Sequence, residues 1–144
     1  MLRRLDEGCF LSPTFRSLVE QLDRTTTIVY VEPGICAFGH FKACLPHAIT
    51  LAGDTRFLRI IVEKGGGGAQ ELARIGHELQ HALEIARAPN IQSAGDITEL
   101  FRRIGRSPHC PLGTPDCYET SAARAAGDAV LREVLASLHA PRSQ

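Results

Sequence analysis

Residues 69–87, AQELARIGHELQHALEIAR, restrict the fold more than any other part of the chain. Leu72, Ile75, Leu79, Leu83 and Ala86 recur at steps of three and four, which is the apolar stripe of an amphipathic helix. Gly65–Gly68 precede the segment and Pro89 follows it, so the helix is bounded at about 20 residues. Such a stripe must be buried against other elements, so this helix forms one wall of a core. His77, Glu78, His81 and Glu84 fall beside the stripe, on a neighbouring face.

Elsewhere the chain reads as short alternating elements. Ser12-Pro13 is a helix start, a capping serine with proline at the first helical position. Phe15, Leu18, Val19 and Leu22 supply the apolar face of that helix, which ends near Arg24. Residues 26–31 (TTIVYV) and 56–63 (RFLRIIVE) are β-branched or aromatic runs and predict strands. Residues 35–38 and 48–51 are weaker strand candidates, separated by an irregular stretch that contains His40, Cys44, Pro46 and His47. The Gly65–Gly68 run lacks the Gly-Lys-Ser/Thr ending of a phosphate loop and is a connector. A short helix is predicted over 97–104, with Asp96 and Glu99 as a capping box and Gly105 as its stop. Residues 105–117 are a loop. A last helix is predicted over 118–139, with Ala122, Ala126, Val130, Val134 and Leu138 as its stripe. The expected architecture is α+β in a single domain over residues 1–144, with helices packed on one face of a small mixed or antiparallel sheet.

Composition narrows the function classes. The 144 residues are enough for one core, and Lys+Arg and Asp+Glu balance at 16 each. A neutral chain offers no electrostatic reason to expect nucleic acid as a partner. Arg102, Arg103 and Arg106 read as a solvated helix end. No run reaches the roughly 20 apolar residues of a transmembrane helix. With no apolar h-region near the start, the chain as it stands reads as cytoplasmic; a removed leader would make it periplasmic or secreted. The five cysteines match no metal or redox spacing. They read as small buried hydrophobes and exposed thiols, with Cys110–Cys117 as a candidate short disulfide in an oxidising compartment.

The chemistry lies in His77-Glu78-Leu79-Gln80-His81. Residues four apart share a helix face, about 6 Å along the axis, so both imidazoles reach one metal ion. This is the H-E-x-x-H pattern of zinc hydrolases, in which the glutamate is the general base. A catalytic zinc takes three protein ligands and leaves a position for water. Glu119, in the run Tyr118-Glu119-Thr120-Ser121-Ala122-Ala123, is the candidate third donor. The competing reading is a glutamate capping the last helix with Asp116 as its partner. Glu84 lies about 10 Å along the axis from His77, too far to share an ion with it. It is either a partner for His81 three residues earlier or a solvated glutamate. His40 and His47 have no helical spacing and are not expected to be ligands. His109 and Tyr118 are loop residues that could donate to an oxyanion.

Over about residues 55–135 the layout resembles the gluzincin branch of zincin metallopeptidases, including its small soluble members, the minigluzincins. The resemblance implies a zincin-like fold, with the sheet preceding the motif helix and a glutamate on a later helix completing the site. It implies one Zn2+ held by His77, His81 and Glu119, and a water activated by that ion, with Glu78 as the base that takes its proton. The activity implied is hydrolysis of peptide bonds in a peptide or protein substrate, paired by strand addition along the 56–63 strand as the edge of the cleft. Two positions depart from the family pattern. Ala123 stands where the family has an aspartate that orients a zinc-bound histidine. Arg74 stands where a small or aliphatic residue is usual. These departures motivate the alternative of a catalytically weak or inactive domain that binds zinc and peptides.

Overall fold

The computed structural model describes residues 1–37, 41–105 and 118–141. Within them the chain is α+β, with five helices and a four-stranded mixed sheet. Helices α1 (Leu2–Leu11) and α2 (Pro13–Asp23) come first, followed by strands β1 (Thr27–Pro33), β2 (Ala43–Cys44), β3 (Thr50–Ala52) and β4 (Thr55–Val62). Helices α3 (Gly68–Arg87), α4 (Ala94–Ile104) and α5 (Ser121–His139) complete the fold. None of the described helices is long and apolar enough to cross a membrane.

Ser12 caps α2 as expected, its hydroxyl accepting from the Phe15 N–H at 3.0 Å. Helix α1 was not anticipated. It is joined to α2 through the close approach of Gly8 to the Phe15 ring, where a Cβ would lie 2.7 Å from a ring carbon. The Ser12 and Thr14 hydroxyls and the Thr14 N–H all donate to the Glu133 carboxylate on α5, tying the start of α2 to that helix.

Strand β4 is the centre of the sheet, not its edge. It pairs in parallel with β1 over Arg56–Val62, and its other side is taken by β2 at Ile61–Val62 and by β3 at Thr55–Phe57, both antiparallel. Strand 56–63 is therefore not the sheet edge that the expected strand addition required: its β1 side is paired along its length and its other side is paired at both ends. Both β2 and β4 border the cleft, through Ala43 and Cys44 and through Arg59 and Ile61. Residues 34–37 do not form the weaker strand expected at 35–38, and the second weak candidate is realised as β3, shifted toward the Gly53-Asp54 turn. Gly53 adopts φ 59°, which the turn between β3 and β4 requires.

Leu58, Ile60 and Val62 turn inward from β4 and are buried with Leu72, Ile75, Leu79 and Leu83 of α3, while Arg59 between them is exposed. This is the alternation of a strand with one buried face. The Arg56 guanidinium donates to the Ala86 and Ala88 carbonyls, closing the carboxyl end of α3. The cap of α4 is Ser93, whose hydroxyl accepts from the Asp96 N–H, and not the Asp96–Glu99 box expected. Cys36 and Cys44 form a disulfide, correcting the reading of these two as unpaired. Cys9 is a free thiol. The candidate pair Cys110–Cys117, with His40, Arg106, His109 and Asp116, lies outside the described residues.

Candidate metal centre

Helix α3 carries the motif as the sequence predicts, and α5 crosses close against it because small residues line their contact. A Cβ on Gly76 would lie 2.8 Å from Cγ2 of Val130, and one on Gly127 would lie 3.3 Å from Cβ of His77. Ala123 is fully buried in the same seam. Glu119 does not open α5, contrary to the expected helix over 118–139. Thr120 is the cap, its hydroxyl accepting from the Ala123 N–H at 3.1 Å, and Glu119 precedes it in extended backbone. The short reach from this position still brings its carboxylate to the motif helix.

The three predicted donors converge. Nε2 of His77 lies 2.9 Å from Oε1 of Glu119, and Nε2 of His81 lies 3.2 Å from the same oxygen. The two rings meet edge to face, with centroids 4.9 Å apart. The donor atoms of His77, His81 and Glu119 all lie within 4.8 Å of one another, close enough to hold one metal ion. Two imidazole nitrogens and one carboxylate oxygen are a donor set suited to a borderline cation such as zinc.

Glu84 is a partner of His81 rather than a solvated residue. Its Oε2 lies 2.9 Å from Nδ1 of His81, and its Oε1 accepts the Thr120 hydroxyl at 2.7 Å. A carboxylate on the far ring nitrogen orients the imidazole and aims Nε2 at the site. Among the described residues, no acid of α5 is bonded to His77; Gly127 of that helix lies against its side chain.

The electrostatics follow from these contacts. Burial opposes a charge on His81, but hydrogen bonds to Glu119 and Glu84 outweigh it and push its pKa up to about 10. Burial likewise opposes ionisation of Glu119, yet the two histidines bring its pKa down to about 2. Both shifts favour a proton on His81 beside the Glu119 carboxylate, and a metal ion held by these groups would displace it. Burial pushes the Glu78 pKa up, and the nearby Glu119 charge adds to this. His81, His77 and the backbone N–H of Leu45 act against it.

A cleft of about 540 Å3 opens onto these groups. Its walls include Phe41, Ala43, Cys44 and Leu45 beside His77, Glu78, His81 and Glu119. Tyr118 lines it too, next to the third donor, and its side chain meets the Arg102 guanidinium. His47 also faces the cleft, as sequence spacing could not reveal. Its Nδ1 lies 2.8 Å from the Thr98 hydroxyl, and its ring stacks on Phe101, which in turn meets His81 edge-on. Arg74 is turned away from the cleft-lining set, its guanidinium lying against Gly66 of the connector.

No protein family matches the chain, and no curated protein or solved structure is detectably similar to it.

Proposed function

We propose that this chain is a small zinc-dependent metallopeptidase of gluzincin type. The observation that carries the reading is the meeting of two Nε2 atoms and one carboxylate oxygen within 4.8 Å, beside Glu78, in an open cleft. His77, His81 and Glu119 would hold the ion. Bound there, zinc would supply a Lewis acid and lower the pKa of water toward about 7. Glu78 accepts a proton from the attacking water and returns it to the leaving amine. A carboxyl pushed up by burial suits this role, because an acid that titrates nearer neutrality both takes and gives a proton more readily. Glu84 holds His81 in the ligating orientation. The cleft beside β2 suits an extended peptide.

The test is Glu78→Gln in protein reloaded with zinc, assayed on an unstructured polypeptide. Retained zinc with hydrolysis reduced by about 10²–10⁴-fold supports the proposal. Ala123, where the resembled family has an acid, and Gly127 against His77 favour a second reading: a domain that binds zinc and peptides without cleaving them. Under that reading the zinc-loaded wild-type protein has no hydrolysis for Glu78→Gln to remove.

A further inference from the structure

The Cys36–Cys44 disulfide lies in the wall of the cleft, and both cysteines line it. Cys44 belongs to β2, which has only two residues and is held to β4 by the pairs Ala43↔Val62 and Cys44↔Ile61. So short a strand contributes little pairing of its own. Cys36 is held separately: it is buried, and two residues before it the Gly34 N–H donates to the Val62 carbonyl at 3.0 Å. The disulfide therefore ties a weak edge strand to the segment after β1, which is bonded to the central strand on its own.

The next residue, Leu45, is buried against the site, and β2 packs on α3. Leu45 and Glu78 line the same cleft. The covalent link at Cys44 is thus one residue from a buried side chain that lines the cleft with the candidate base, whereas the metal donors hang from α3 and from residue 119.

We propose that the Cys36–Cys44 disulfide is a redox-sensitive positioning element: intact, it holds β2 and Leu45 in the cleft wall beside Glu78, and its reduction releases this wall without removing the metal donors. The role assigned to Glu78 rests on the peptidase reading; the release of the wall does not. Cys44 is the half-buried partner and faces the cleft, so it is the sulfur open to attack. With a protein dithiol as reductant, one of its thiolates attacks Cys44 and breaks the Cys36–Cys44 bond. Its second thiol then displaces Cys44 from the mixed disulfide. Two electrons pass to the cysteine pair, which takes up two protons, and the dithiol becomes a disulfide.

The experiment compares the air-oxidised full chain, the chain reduced by a water-soluble phosphine, and the double variant Cys36→Ser/Cys44→Ser. The phosphine gives two electrons to the S–S bond, takes its oxygen from water and leaves two thiols. Peptide mapping, amide hydrogen exchange and zinc content are read on all three. The expected result is a 36–44 crosslink in the oxidised chain only. Exchange over 41–47 rises by about tenfold or more on opening, and zinc stoichiometry is the same in all three. Hydrolysis, where present, falls in kcat by about tenfold with little change in KM, as expected when a base is misplaced but the substrate still binds. Absence of the crosslink from the oxidised chain, or exchange over 41–47 that is equal in the oxidised and opened forms, overturns the proposal. Failure to take up zinc counts against the peptidase reading instead, and leaves the exchange comparison decisive for the disulfide.

Discussion

Oε2 of Glu84 stands 2.9 Å from Nδ1 of His81, while the other oxygen of the same carboxylate accepts the Thr120 hydroxyl. One acid therefore orients a ring of the candidate metal site and, through the cap of α5, fixes the residue next to Glu119. Glu84→Gln keeps the size of the side chain but weakens both functions. We expect zinc affinity to fall by about 10–100-fold, without loss of fold. Competition against a chromophoric chelator measures this, and an unchanged affinity would remove Glu84 from the account.

Zinc uptake should depend on pH through His81. Its pKa in the polypeptide alone is raised to about 10, so near neutrality the ring is protonated and the ion must displace that proton. Affinity should rise by about tenfold per pH unit for one proton displaced. The sign for the chelated protein is opposite. A raised histidine pKa contributes stability that is complete below 6.5 and is lost as pH climbs through about 10. The depressed Glu119 pKa contributes stability above 4.5 that is lost as pH falls through about 2. Chelated protein should therefore melt at lower temperature at high pH than at neutrality, while zinc-loaded protein gains stability relative to it over the same range. Thermal melts with and without chelator across pH give both slopes.

Glu133 makes a third prediction, away from the cleft. Burial opposes its charge, but the Ser12 and Thr14 hydroxyls and the Thr14 N–H hold its pKa below the usual carboxylate value. A depressed carboxylate stabilises above its unfolded pKa of 4.5, and the contribution is lost as pH falls through the folded value. Glu133→Gln should cost about 1–2 kcal/mol at neutral pH and less in acid. Urea unfolding at the two pH values measures the difference.

The α3–α5 seam gives a fourth. A Cβ on Gly76 would come within 2.8 Å of Val130, so the helices must separate to admit it. Gly76→Ala should destabilise the fold by about 1–3 kcal/mol by overpacking, although alanine is the better helix former. Gly76→Ala/Val130→Ala, which removes the opposing methyls, should recover part of that loss. A stabilised single variant would contradict the close approach of the two helices.

Much of this was legible in the sequence because it is local. The stripe from Leu72 to Ala86 and the spacing of His77 and His81 depend only on helical geometry, and both appear as read. Glu119 was reached by asking for a third donor, and the structure brings it to the pair, although from the residue before the cap of α5. Glu84 was left between two roles, and its contact with Thr120 explains the outcome: the deciding partner is 36 residues away. What escaped is tertiary. Strand β2 is two residues long and exists only by pairing with β4, and β4 became central because β1, β2 and β3 all converge on it. The Cys36–Cys44 link and the approach of His47 to Phe101 arise from the same folding of the 34–47 stretch onto the site. Helix α1 carries Arg3, Arg4, Asp6 and Glu7 in its first turns and has few buried residues, so its apolar pattern is faint.

The most direct measurement is the metal content of chelator-treated protein reloaded with zinc, by native mass spectrometry, for the wild type, His77→Ala and Glu119→Ala. The account predicts one zinc per wild-type chain and at least about 100-fold weaker binding in both variants, with each still folded. Folded wild-type protein that takes up no zinc, or a Glu119→Ala variant that binds it as tightly as the wild type, would contradict it.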